Sequence, residues 1–210
     1  MSALLNQASL LMEHPRRTTS PGTTTVKYTK GGVETVEECF ASYEEKLIAS
    51  KFTFSAPSSF TLSFERDLIK SYAVDGDTLT VCCGTANGSH GFAVGIKVVT
   101  DGVLTADDGK LRVENANEAV IYINIVTDNI ADNYIELCNA KLEAAPDYNN
   151  LRKVHTESFS SIMCRSDVSF DGDEELEKLP KWENELLMTD HGVGSYVSRA
   201  FGKRMNRRNE

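Results

Sequence analysis

Residues 59–64, SFTLSF, alternate strictly: Phe60, Leu62 and Phe64 stand between Ser59, Thr61 and Ser63. A period of two marks a strand buried on one face. FAVGIKV at 92–98 repeats it, with Phe92, Val94, Ile96 and Val98 separated by Ala93, Gly95 and Lys97. Leu79 and Val81 alternate with Thr78 and Thr80. Gly31-Gly32, Asp75-Gly76, Asp101-Gly102 and Asp108-Gly109 punctuate these runs. Asp-Gly suits a tight hairpin, because both central residues of a type I′ turn need positive φ. Short strands joined this way predict an antiparallel β-sandwich over residues 24–127. AVIYINIV at 119–126 is apolar on both faces apart from Asn124, which places it centrally in a sheet.

Beyond Thr127 the period becomes helical. Tyr134, Leu137, Cys138, Leu142 and Ala145 form one stripe, which Pro146 ends. A second helix starts near Asp147, whose carboxylate caps it, with Leu151, Val154, Phe159 and Ile162 on one side. The fold class is therefore mainly β (α+β), a sandwich followed by two to three helices, with residues 128–190 as a connecting helical segment. Val168 to Phe170 reads as a further short strand, Asp171 to Glu175 as an acidic loop, and Trp182 to Met188 as a weak helix. Residues 1–23, rich in Thr, Ser, Pro and Gly at their end, are expected to be an irregular tail, and 191–210 a basic one carrying Arg199, Lys203, Arg204, Arg207 and Arg208.

The chain has 210 residues, 40% of them apolar, and a formal charge of −9. A chain this long buries roughly 70% of its unfolded surface, so no covalent staple is required. No apolar run approaches the ~20 residues that span a bilayer. An acidic balance argues against a nucleic-acid surface, and no membrane partner is expected. The N-terminus lacks the order of a signal peptide, which leaves the location unknown and cytoplasmic only by default. Five cysteines (Cys39, Cys82, Cys83, Cys138, Cys164) without a C-x-x-C read as reduced small hydrophobes. The four histidines (His14, His90, His155, His191) form no ligand pair, so neither metal nor other cofactor is expected.

Catalytic signatures are equally sparse. A glycosidase needs two carboxylates flanking the scissile bond, and 31 acidic residues offer no way to choose them. Asp107-Asp108 and the run from Asp171 lack the spacing of a calcium loop. Gly84 to Gly91 (GTANGSHG) has no lysine and no following helix, so it reads as a long hairpin loop. Asn87-Gly88-Ser89 within it is a glycosylation sequon, meaningful only in a secreted protein. His155 reads as a helix histidine packed against the sheet, since a catalytic one would need an acid partner.

Several stretches together resemble one family. VETVEECFASY at 33–43, containing Phe40 and Tyr43, resembles the T-x-E-x-F-A-S-Y stretch of the N-terminal sandwich of glycoside hydrolase family 95. GKLRVENANEAVIYINIVTDN at 109–129, with Glu114, is similar to that domain's G-x-L-x-V-E-x-A-D-E-V strand pair. Tyr148, Leu151, His155, Phe159, Ile162, Met163, Arg165 and Val168 resemble the helix that joins the sandwich to a catalytic barrel. The match covers roughly residues 24–180, and Leu179-Pro180 echoes the L-P-T-D that follows.

The resemblance implies an inverting α-L-fucosidase whose acid and base sit in the (α/α)₆ barrel. No position here matches those residues, so no catalytic residue is carried over. It also implies that several front strands are missing, which would leave open edges and apolar faces. The expected function is thus that of a sandwich domain without catalytic residues of its own. A carbohydrate- or protein-binding module, with rim aromatics among Tyr28, Tyr43, Tyr72 and Phe92, and a truncated remnant are the alternatives. A fucosylated glycan, the missing catalytic domain and self-association are the expected partners.

Overall fold

The computed structural model describes residues 13–165 apart from 21, 86, 87, 89, 108 and 164, with side chains from residue 22 onward. The described strands are β1 (Glu13–Ser20), β2 (Thr23–Lys30), β3 (Val33–Ser42), β4 (Leu47–Ser63), β5 (Ile69–Asp75), β6 (Thr78–Gly84), β7 (Gly91–Thr100), β8 (Val103–Asp107) and β9 (Lys110–Thr127). Two helices follow, α1 (Tyr134–Glu143) and α2 (Tyr148–Met163). The strands form one hydrogen-bonded sheet in the order β1-β2-β3-β4-β9-β7-β6-β5, with β8 added to β9. All pairings are antiparallel.

This single sheet makes a sandwich by folding over itself. β4 and β9 have 17 and 18 residues, and a straight strand of that length would run ~55 Å. Both bend midway. Their register shifts between Thr53 and Ser58 and again before Phe60, around Pro57, while Asn115 on β9 adopts a φ of +55°. A proline without an N–H and an αL residue are the expected ingredients of such a bulge. Beyond it, Phe60 to Ser63 pair with Val113 to Lys110, and β8 pairs with the same stretch of β9. These three segments form the second layer. Leu62, Leu111 and Val113 from it join Leu79, Val81, Val94, Ile96, Val98 and Ile121 of the first in one buried core.

The opposite face of the first layer carries the helices. Phe40, Leu47, Ala49, Val120 and Tyr122 pack with Leu142, Tyr148 and Leu151, and Ala93 and Val126 with Cys138. β9 is therefore buried on both sides, as its apolar run predicts. Its one polar interruption, Asn124, is 2% exposed and donates from Nδ2 to the Cys138 carbonyl at 3.3 Å. Asp147 caps α2, its Oδ1 accepting from the amides of Asn149 and Asn150 at 3.1 Å each.

Three expectations change in detail. First, the segment expected to be an irregular tail contains a strand: β1 pairs with β2, with a register shift between Glu13 and Arg16 that accommodates Pro15 at the sheet edge. Threonine-rich sequence reads as linker in isolation, and pairing with a formed edge makes it a strand. Second, Asp101-Gly102 is not a hairpin. It carries the chain from β7 to β8, which pair with different halves of β9, and Asp101 stabilises the corner by accepting from the amides of Asn117 and Glu118 at 2.9 Å. Third, Val154 and Ile162 are exposed, at 39% and 54%. The inward face of α2 is Tyr148, Leu151 and His155, spaced i, i+3, i+7. The expected strand at 168–170, the acidic loop, the Trp182 helix, the basic tail, Cys164 and the sequon asparagine lie outside the described residues.

Candidate functional site

The family-motif residues separate into two groups. Phe40, Tyr148, Leu151, His155 and Phe159 come together between β3 and α2. The His155 ring stacks on Phe40 with centroids 4.7 Å apart and lies 5.9 Å from Phe159. Phe40 also meets Tyr148 at 5.6 Å. His155 Nε2 donates to the Gly22 carbonyl at 2.9 Å, tying α2 to the turn between β1 and β2. Tyr148 donates its hydroxyl to Glu38 Oε2 at 3.4 Å, and Arg152 reaches the other oxygen of that carboxylate at 3.4 Å. Burial raises the Tyr148 phenol well above its ordinary range, and the Glu38 charge adds to the shift.

Phe40, Tyr148 and His155 are 3%, 7% and 5% exposed. Groups so enclosed cannot touch a substrate, so this cluster is a latch that fixes α2 on the sheet. The other motif residues are elsewhere. Tyr43 is 69% exposed in the turn after β3, with Lys46 Nζ 3.4 Å above its ring. Glu114 pairs with Arg112 at 2.8 Å on the second layer. Arg165 is exposed just past α2, its amide donating to the Ile162 carbonyl.

One end of the sheet gathers what the latch leaves out. β3, β6 and β9 terminate there, and β4, β5 and β7 begin. Tyr43, Leu68, Ile125 and Ile130, at 69%, 54%, 45% and 68% exposure, all belong to this end. The closing turns of α2 approach it too, since Ser158 Oγ donates to Glu44 Oε1 at 3.1 Å. Asp128 braces the end by accepting from the Gly91 amide at 2.5 Å and lying 3.2 Å from His90 Nδ1. The Gly91 hydrogen bond, more than His90, holds its carboxyl below the usual range. These apolar side chains are spread along the end of the sheet from the β3–β4 turn to the start of β5, with Tyr43 nearest α2.

A third feature was missed in the sequence because VETVEEC reads there as family motif. On the face of β2–β4 opposite α2, cross-strand rows place Val26, Glu37 and Phe52 together, flanked by Tyr28, Thr35 and Phe54. Burial raises the Glu37 carboxyl, and raises Tyr28 with help from the Glu37 charge. A carboxyl raised on folding contributes stability below its unfolded pKa, and that contribution is lost as pH rises through the folded value. Glu37→Gln is therefore expected to raise the melting temperature at pH 7 by ~2 °C and to be neutral near pH 4. Melts of both chains across that range check it.

The expected rim aromatics do not converge. Tyr28 lies on β2 and Tyr72 on β5, towards opposite ends of the strand order. Tyr72 covers Gly109 and points its hydroxyl at the Phe64 carbonyl, while Phe92 lies under Arg66 at 4.8 Å. Among the described residues no three His, Cys, Asp or Glu side chains assemble as metal ligands, and no helix is long and apolar enough to cross a membrane. Cys39, Cys82, Cys83 and Cys138 are free thiols. Burial pushes Cys138 up to about 11, so it packs as a hydrophobe.

Comparison with known proteins follows the fold. The family model described as "Glycosyl hydrolase family 65, N-terminal domain" matches residues 19–131. No curated protein matches the chain. Among solved structures, one described as a kojibiose phosphorylase from human microbiome superposes with a TM-score of 0.58 at 10% identity. The overlap covers 79% of this chain and 27% of that one, so the chain spans about a quarter of its length.

Proposed function

Since the chain belongs to the family of glycosyl hydrolase family 65 N-terminal domains, we propose that it is a non-catalytic sandwich module that supports a carbohydrate-processing catalytic domain. The observation that carries this reading is the exposed apolar end. Tyr43, beside the closing turns of α2, and Ile125, Ile130 and Leu68, further along the same end of the sheet, leave that end apolar and exposed. The motif residues that do assemble are buried in the latch, where they hold α2 rather than meet a sugar.

Two substrates follow for the supported domain. The motif order resembling family 95 suggests terminal α-L-fucosides, hydrolysed by single displacement. The name of the kojibiose phosphorylase neighbour suggests kojibiose, and the match to family 65 instead of family 95 favours this second reading. The test is to incubate the chain alone with an α-1,2-fucosyl oligosaccharide, and with kojibiose plus inorganic phosphate. No release of fucose, glucose or glucose phosphate is expected, and turnover of either substrate overturns the non-catalytic reading.

A further inference from the structure

The inner face of the first layer changes character along its width. Under the second layer it is Leu79, Val81, Val94, Ile96, Val98 and Ile121, all buried. The row Val98–Ile121 continues onto the wing made by β2, β3 and the first half of β4 as Ser50, Cys39 and Thr24. The two rows beside it are Val26–Glu37–Phe52 and Tyr28–Thr35–Phe54. Thr24, Val26, Tyr28, Glu37, Ser50 and Phe54 are half-buried, and none of them joins a buried core. The core faces of a sandwich are apolar, so a face of hydroxyls, rings and one carboxylate has the composition of a ligand lining.

Phe60, on the second half of β4, borders this face. Its ring lies 6.3 Å from Phe52 and 6.0 Å from Phe54, and those two rings stack 6.4 Å apart. Glu37 is the sole carboxylate in the three rows. Burial alone raises it, and no described hydrogen bond or cation offsets that cost. Tyr28 stands diagonally across the strand pair from Glu37 and feels its charge. An acceptor held half out of water costs stability until a donor arrives.

A hydroxyl-rich ring meets each of these features. Its edge hydroxyls donate to a carboxylate, and its C–H face packs against aromatic rings. A basic peptide would favour several carboxylates, and this face has one. We propose that the inner face of the wing is a saccharide-binding cleft, in which Glu37 accepts from two neighbouring hydroxyls and Tyr28 and Phe54 bracket the pyranose. The cleft is separate from the exposed end of the sheet on which the module reading rests.

Nuclear magnetic resonance of the full chain tests this, with separate titrations of kojibiose, an α-1,2-fucosyl oligosaccharide and a lysine-rich peptide. At least one of the sugars is expected to shift amides of β2, β3 and the first half of β4, and to leave α1 and α2 unmoved. Glu37→Gln keeps the shape and removes the charge, and its expected higher melting temperature means that it folds. It should weaken binding about tenfold, as loss of a hydrogen bond to a charged group does. Tyr28→Ala should weaken it as well. Val99→Ala, exposed on the opposite face of the sheet, should bind like the parent. No amide shift with either sugar overturns the proposal, and so do shifts confined to the Tyr43 end or unchanged affinity in Glu37→Gln. Shifts with the peptide and with neither sugar also overturn it, and would assign the face to a protein partner.

Discussion

Gly95→Val is expected to force α1 off the sheet and to lower the melting temperature by ~10 °C. A Cβ at residue 95 would stand 2.5 Å from Leu142 Cδ1 and 3.0 Å from Cys138 Sγ. Both partners are fully buried and belong to α1, so neither can swing into solvent. Gly95 has no positive φ, so the glycine is required for space and not for conformation. Overpacking a tight core costs about 1–3 kcal/mol. Displacing Leu142 adds part of the ~2–5 kcal/mol that losing a buried leucine costs. A total of ~3–5 kcal/mol corresponds to ~10 °C in a chain of this size. The core on the other face, around Leu79, Val94 and Ile96, is untouched. Far-ultraviolet circular dichroism should therefore keep its strand signal while the melt shifts. Adding Leu142→Ala should recover part of the loss, because the smaller side chain makes room for the valine. A Gly95→Val chain that melts like the parent would show that α1 does not seat on β7.

The strands that could be read from sequence are those whose burial is one-sided. SFTLSF and FAVGIKV announce themselves because their inward residues meet a core and the alternate ones do not. AVIYINIV is legible for the opposite reason, being apolar on both faces because helices cover one and the second layer the other. The bend of β4 was hidden, because its bulge at Ser55–Ser59 uses the same Ser and Pro chemistry as a loop between two strands. β1 was hidden because a threonine-rich edge strand needs its partner before it is a strand. Asp101-Gly102 misled because Asp-Gly specifies a turn without specifying whether the flanking strands pair with each other. In the second helix, Val154 and Ile162 were grouped with Leu151 by hydrophobicity, whereas the inward face at i, i+3, i+7 includes polar-tipped Tyr148 and His155. The glycosidase relationship was legible at the level of domain type through motif order. The choice between families was not, since the quoted motifs fall on strand and helix positions that pack the fold, such as Phe40, Tyr148 and Leu151.

His155→Ala is expected to cost ~3 kcal/mol, and the way that cost divides identifies what the latch is. The imidazole stacks on Phe40, touches Phe159 and donates to the Gly22 carbonyl. Deleting a large buried ring costs a few kcal/mol through lost contacts and the cavity left behind. Losing one hydrogen bond costs about 1 kcal/mol more when its acceptor is left unpaired. His155→Phe keeps the stacking and removes the donor, so it should retain more than half of the stability. Gly22 tests the same contact from the other side. Its φ is +71°, and a Cβ there would meet His155 Nε2 at 2.5 Å and Phe159 at 2.8 Å. Gly22→Ala should therefore strain both the turn and the ring. Residues in one contact network do not act independently. The double variant Gly22→Ala/His155→Ala should lose less than the two single losses added together, because the alanine methyl then occupies the space the ring has left. Strict additivity in denaturant titrations would mean that α2 is held without this contact. Sub-additivity would assign the motif histidine a positioning role, fixing the second helix on the sandwich through Phe40 and Gly22.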